Sequence, residues 1–275
     1  MPAAEFAILR VIMVRRPNLL WEEAAVQLFP LVFYKYQGRQ IKDALYSRGW
    51  TRKKLHFVAR ERDNYLRALF CQLFHAPGQQ FNARQFVFVD ETLKKGQDAM
   101  RTHGVAPAGE RAVAVVVKRL LAGRTSALVA LSLKGVLSKT MVDTSELSVT
   151  TELFMTVLRY RILPQMNPFP ADRSILFLDN ARIHNKMQVY AACAAVGVRA
   201  FFLPPYSCDY MPNELLFNNS RTYMVREFGL GNQIRTIEDM FSEALENCMT
   251  PDQICNTFAF CGYPVSAADC AWAIA

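Results

Sequence analysis

The feature that most constrains this chain is a change of period near "HAPGQQFNARQ", residues 75–85. Before it, apolar residues recur at helical spacing. After it they come in short runs, several of them apolar throughout, as strands covered on both faces require. "QFVFVDET", "RAVAVVVKRLL", "TSALVALSLKG", "SILFLDN" and "VRAFFLPPY" read as five strands, with "AGR" between the second and third as a hairpin signal. "SELSVTTELFMTVLRYRIL", "KMQVYAACAAVG" and "PNELLFNNSRTYMVREF" read as helices. Ser145 or Ser148 would cap the first, Gly197 would end the second and Pro212 would open the third.

The resulting order is βββ-α-β-α-β-α. Three sequential strands followed by alternating elements predict an α/β fold. An antiparallel meander would be extended by parallel strands and covered by helices. That is the order of a ribonuclease H-like mixed sheet with flanking helices. At 275 residues the chain can bury a large core, and 52% apolar residues exclude a disordered chain. No apolar run reaches the roughly 18 residues of a membrane span, so no membrane partner is expected. "AEFAILRVIMVRR" has neither a basic leader nor a small-residue cleavage site, which argues against a signal peptide. The seven cysteines are scattered and never spaced C-x-x-C, which suits reduced thiols inside a cell and no zinc module.

Charge is unevenly placed. Residues 1–80 hold 13 Lys and Arg against 6 Asp and Glu, while residues 81–275 hold 19 against 18. A basic first third can be ordinary solvating charge, or it can face a polyanion. The local pattern favours the second. "NLLWEEAAVQLF", with Asn18 as a plausible cap, and "GRQIKDALYSRGW", ending at Gly49, read as two short helices. "TRKKLHFVARERDNYLRALFCQLF" reads as a long amphipathic helix with a basic start. Together they predict a small all-helical, winged helix-turn-helix domain over residues 1–75. Arg39, Gln40, Lys42 and Arg48 would lie on or near a recognition helix, followed by the phosphate-facing Arg52, Lys53 and Lys54. A ribonuclease H-like domain would follow over 84–235, and a helical tail over 236–275. In the tail, Thr250, Pro251 and Gln253 form a capping box, and a structural or partner role is expected.

Two strands end in carboxylates: Asp90 after "FVFV" and Asp179 after "ILFL". If those strands are neighbours, both acids reach one edge of the sheet. Glu214 falls in the first turn of the helix opened by Pro212. Alone, each has an ordinary explanation as a turn former, cap or helix-dipole partner. Three acids at the matching ends of one fold would repel one another, and hard oxygen donors of this kind suit Mg²⁺ or Mn²⁺. Such a site can activate water or a 3′-hydroxyl for phosphodiester chemistry. A carboxylate-pair sugar hydrolase needs only two acids and no basic domain, and is the weaker reading.

These motifs resemble those of the mariner-type transposases over roughly residues 12–230. "VFVDET" matches their first acidic motif, and "HGVAPAGERA" the "yGraPkGeR" segment that follows it. "LDNARIH" matches the second, and "FFLPPYSCDYMPNE" the third, usually "LPpYSPdLNPiE". Asp179 and Glu214 are separated by 34 residues, a spacing typical of that family. "IKDALYSRGWTRKKL" resembles the end of its second helix-turn-helix. The resemblance implies a DDE superfamily endonuclease with Asp90, Asp179 and Glu214 as a catalytic, metal-binding triad. Asn180 and His184 would support it. It also implies Mg²⁺ or Mn²⁺ as cofactor, double-stranded DNA (transposon ends and target) as partner, and an intracellular location, the nucleus in a eukaryote. A homodimer is left open. The first helix-turn-helix of the family is missing from the match. Cys208 stands where proline is usual and Met211 where asparagine is usual. Methionine cannot cap the Glu214 helix, a loss of about 0.5–2 kcal/mol unless Asp209 or Asn213 substitutes. Two function classes therefore follow: an active DNA-cutting and joining enzyme, or a catalytically inactive or domesticated DNA-binding derivative.

Overall fold

The computed structural model describes residues 1–55, 59, 61–75, 81–113, 123–143, 149–229 and 235–274. The chain forms two compact units, Met1–Arg60 and Glu61–Ala275.

The first unit contains three helices: α1 (Ala3–Arg15), α2 (Trp21–Val32) and α3 (Gly38–Tyr46). Leu9, Met13, Ala24, Leu28, Ile41 and Leu45 form its core. The helix α1 was not legible in the sequence, because its apolar residues are spread around it and only Leu9 and Met13 are buried. Asn18 does not cap α2. Leu20 occupies the N-cap position without a side-chain cap bond, and its N–H donates to the Glu23 carboxylate at 2.8 Å. Gly49 has φ +80 and its N–H reaches the Tyr46 carbonyl, which turns the chain after α3 as expected of glycine. The long helix expected over 51–74 is not formed at its basic end. Residues 51–55 are irregular and exposed, and the helix α4 covers only Asn64–His75. The physical reason is local: consecutive cations at 52–54 gain nothing from stacking on a helix surface, whereas Asp63 starts α4 by accepting the Tyr65 and Leu66 N–H groups at 2.8 and 3.1 Å. No strand occurs among the described residues of this unit, so no wing is seen there.

The second unit holds a five-stranded mixed sheet in the order β3-β2-β1-β4-β5. The strands are β1 (Phe86–Lys95), β2 (Arg124–Ser132), β3 (Gly135–Asp143), β4 (Ile175–Leu178) and β5 (Arg199–Phe202). The first three form an antiparallel meander, and β4 and β5 extend it in parallel. One expectation shifts. The run expected as the third strand is β2, and a strand not expected from the sequence, β3, follows it across a turn at Leu133–Lys134. Most of "RAVAVVVKRLL" lies outside the described residues, as do Ser145 and Ser148. Helix α5 (Thr151–Val157) is capped by Thr150, whose hydroxyl accepts from the Leu153 N–H at 3.2 Å.

Side chains alternate across the sheet. Phe86 and Phe88 of β1 and Ile175 and Phe177 of β4 face one layer, and Val87, Val89, Leu176 and Leu178 face the other. The second layer contains α5 and α6 (Lys186–Ala195), which contributes Val189 and Cys193. Gly197, at φ +74, ends α6 with Pro168 so close that a β-carbon would stand 2.9 Å from it. The first layer contains α7 (Pro212–Phe228), α8 (Ile237–Asn247), α9 (Pro251–Phe260) and α10 (Ala267–Ile274). It also contains Phe70 and Phe74 of α4, a helix the sequence reading grouped with the basic first third. The expected capping box of α9 is present, with the Thr250 N–H on the Gln253 side chain at 2.8 Å. Among the described residues no helix is long and apolar enough to cross a membrane.

Candidate active site

The register of the central strands builds the site. β1 and β4 pair in parallel from Phe86 with Ile175 to Val89 with Leu178. Asp90 and Asp179 are therefore the next residues along two neighbouring strands. The expected end of β1 at Asp90 is not seen: the strand runs on to Lys95 and pairs with β2 throughout, so Asp90 stands mid-strand, while Asp179 directly follows the last residue of β4. Burial pushes the Asp90 carboxyl up to about 8, and the nearby charges of Asp179, Glu91 and Glu214 add to the shift. The Asp90 carboxylate accepts the Glu91 N–H at 2.8 Å.

Asp179 behaves in the opposite way. Burial alone would raise it, but its hydrogen bonds from His184 and from the Ala181 N–H hold it below the usual carboxylate range. The Ala181 bond is 2.8 Å. His184 bridges two acids from two strands, with Nδ1 at 2.9 Å from Asp179 and Nε2 at 3.1 Å from Glu91. Its ring is buried and lies 4.3 Å from that of Phe154. Burial would lower its pKa, but the two carboxylate partners raise it to about 9. The imidazole is thus held charged between Glu91 and Asp179, and its orientation is fixed at both nitrogens. Asn180 donates its side-chain N–H to the Leu203 carbonyl, which ties the tip of β4 to the end of β5.

Glu214 stands exposed in the first turn of α7. It contributes to the negative load on Asp90. Met211 is the N-cap of α7 and makes no side-chain cap bond; it is buried at 2% exposure. Neither substitute expected from the sequence caps the helix. Asp209 is held by Arg67 through two bonds of 2.8 and 2.6 Å, and Asn213 turns into the sheet. Arg67 also stacks on Tyr210, 4.1 Å from its ring centre, so α4 braces the loop that delivers Glu214.

Sequence reasoning missed Glu91, Lys94, Asn213 and Arg67. Glu91 had a visible signal, a second acid directly after Asp90 where the apolar run of β1 stops. Lys94 is a buried cation on β1 that donates to the Phe217 carbonyl at 3.1 Å. Nothing local distinguishes Lys94, Asn213 or Arg67, whose partners lie 84 to 142 residues away.

Three carboxylates on separate elements are the donor type that a divalent cation takes, and burial together with the neighbouring acids drives Asp90 towards protonation. Among the described residues, however, no three His, Cys, Asp or Glu side chains stand together closely enough to hold a metal ion.

In the first unit, the Arg39 side chain is exposed and lies 3.9 Å from Asp43. Lys42 sits over the Tyr46 ring at 5.7 Å. Gln40 uses its side-chain oxygen to accept the Gln37 N–H at 2.9 Å. Arg48 donates to the Ala44 and Met1 carbonyls at 3.1 and 3.0 Å and covers the Phe6 ring, so it fastens α1 to α3. Arg52, Lys53 and Lys54 are exposed. They border an open groove that also includes Trp21, Tyr46 and Trp50.

A mixed sheet of this order, with acids side by side on its two central parallel strands just past their shared ladder, defines the ribonuclease H-like class of nuclease folds. The family model for the DDE superfamily endonucleases matches residues 85–236, and the chain belongs to that family. It is similar in fold to the Mos1 transposase paired-end complex with left transposon end, at 16% identity and a TM-score of 0.57, covering 96% of this chain and 81% of that one. The Mos1 strand transfer complex matches at 16% identity and a TM-score of 0.58, covering 97% and 81% of the two chains. A pre-cleavage Mos1 transpososome matches at 15% identity and a TM-score of 0.58, covering 97% and 82%. No match was found among curated proteins.

Proposed function

We propose that this chain is a transposase-like DNA endonuclease and strand-transferase whose acids Asp90, Asp179 and Glu214 act with Mg²⁺ or Mn²⁺. The observation that carries this reading is the adjacency of Asp90 and Asp179, each the next residue after the β1–β4 ladder, with Glu214 adding to the charge around Asp90. Carboxylates placed so that one is forced up to about 8 are costly unless a cation relieves them. A divalent ion held by Asp90, Asp179 and Glu214 would supply activation of the attacking hydroxyl or water and charge relief at the phosphodiester. His184 keeps the Asp179 carboxylate aimed, and Asn180 fixes the turn that follows it. Solved Mos1 complexes with Mn and with Mg agree with the choice of ion. Duplex DNA is the proposed partner, with Arg39, Gln40, Lys42, Arg48, Arg52, Lys53 and Lys54 as the candidate contacts. Its place would be with DNA inside a cell, the nucleus in a eukaryote.

The test is nicking of supercoiled plasmid by the whole chain with millimolar Mg²⁺ or Mn²⁺. Metal-dependent nicking in wild type that disappears in Asp179→Asn is the expected result. A second reading, a DNA-binding derivative without catalysis, is favoured by the uncapped start of α7 and by the lack, among the described residues, of a side-chain group placed to hold a metal ion. DNA binding with no nicking under any metal condition would select it.

A further inference from the structure

The helix that carries Glu214 begins with no side-chain cap, because the residue at its N-cap is Met211, buried in the core. The nearest upstream acid, Asp209, is committed to Arg67 and Arg62. Of the residues at this turn, the one that makes polar bonds into the sheet is Asn213. It is fully buried, and its amide N–H groups donate to the Val129 carbonyl at 3.0 Å and the Phe88 carbonyl at 3.4 Å. These two carbonyls are well placed. Phe88 lies two residues before Asp90 on β1, and Val129 is the residue of β2 paired with Asp90. The amide thus bridges the two strands at the position of Asp90 and holds there the residue next to Glu214.

The rest of that amide is unusual. Its Oδ1 is buried and has no hydrogen-bond partner. A leucine would fill similar space without leaving a buried acceptor unpaired, so packing alone does not explain an asparagine here. The "MPNE" run has an apolar residue at the cap and the amide after proline, the reverse of the usual "NPiE" order quoted above. We propose that Asn213 is a positioning residue: its side chain leaves the helix uncapped but fixes the Glu214 turn against the strand pair that carries Asp90. This rests on the nuclease reading for its consequence in catalysis, while the tether itself stands on the hydrogen bonds alone.

The experiment compares wild type, Asn213→Leu and Asn213→Leu with Met211→Asn, all as the full chain. Hydrogen exchange is read at the Glu214 and Leu215 amides. Plasmid nicking in Mn²⁺ and affinity for duplex DNA are read alongside. Asn213→Leu should remain folded and exchange those amides about tenfold faster, with other α7 amides unchanged. Its nicking rate should fall by about 100-fold, the scale of a small misplacement of a reacting group, at unchanged DNA affinity. Adding Met211→Asn restores a cap and should recover both readings, which a merely structural loss would not do. Should Asn213→Leu fail to fold, Asn213→Ser, too short to reach both carbonyls, is read in the same way. Unchanged exchange at Glu214 and Leu215 in a folded variant would overturn the tether. Loosened exchange with an unchanged nicking rate would overturn its role in positioning. A wild type that binds DNA and never nicks would instead overturn the nuclease reading, and the exchange data would still decide the tether.

Discussion

At the scale of single residues, the two central acids were legible because each interrupts an apolar run. Their partners were not. His184 reaches Glu91 across 93 positions, and no local pattern announces that pairing. Supporting residues of this kind commonly change metal affinity or activity by about 10–100-fold when removed. His184→Ala should therefore slow nicking by about that factor while leaving DNA affinity unchanged, measured by plasmid nicking and by a binding titration. Asp269 gives a prediction about acid stability. Burial would raise its pKa, but the Ser266 N–H and hydroxyl and Arg84 outweigh burial and hold it below the usual carboxylate range. Those bonds are 2.9, 2.7 and 2.8 Å. A carboxylate with a depressed native pKa stabilises the fold fully above its unfolded pKa, about 4, and loses that contribution as pH falls through the native value. Asp269→Asn should lower Tm at pH 7 and show a smaller fall in Tm from pH 7 to pH 3 than wild type, as read by calorimetry.

At the scale of elements, period and punctuation found β1, β4, β5, α6 and α7, because each is a strong apolar run with a clear stop. They failed where burial depends on distant partners. Helix α1 has no clear apolar face, β3 reads "GVLSKTMVD" with polar residues throughout, and the basic stretch at 51–55 is not helical. The segment after residue 236, for which only a structural or partner role was expected, supplies much of one core layer. Phe258 is fully buried, with its ring centre 5.2 Å from that of Phe88 on β1. Phe258→Ala should cost about 3–5 kcal/mol. Urea unfolding should show this as a lower midpoint, and an unchanged midpoint would mean that α9 does not help to hold the β1 layer.

At the scale of the whole molecule, charge is the organising quantity. The acids of the second unit should repel in the absence of cations. Millimolar Mg²⁺ or Mn²⁺ should raise Tm, and Asp90→Asn should reduce that rise. No shift up to saturating metal would count for the non-catalytic reading. The basic surplus of the first unit should show in the salt dependence of DNA binding. Each phosphate neutralised contributes about 0.9 to the slope of log affinity against log salt. Replacing Lys53 and Lys54 with alanine should flatten that slope and leave sequence preference nearly unchanged. Arg48, in contrast, holds α1 to α3 through two carbonyls, so Arg48→Ala should lower the stability of the first unit as well.

The sequence by itself determined β1, β4, β5 and the helices between and after them, the two acids that interrupt apolar runs and the basic character of the first third. These are set by local periodicity, which one stretch of chain carries alone. Tertiary structure decided what distant segments do to one another. It placed Asp90 and Asp179 side by side through the β1–β4 register and held His184 charged between Glu91 and Asp179. It also drew α4 and the C-terminal helices into the sheet's core and turned Asn213 inward beneath Asp90 while Met211 was buried at the cap. The physical reason is that burial and hydrogen-bond satisfaction are properties of contacts between elements. A lone asparagine or methionine carries no mark of which partner will enclose it.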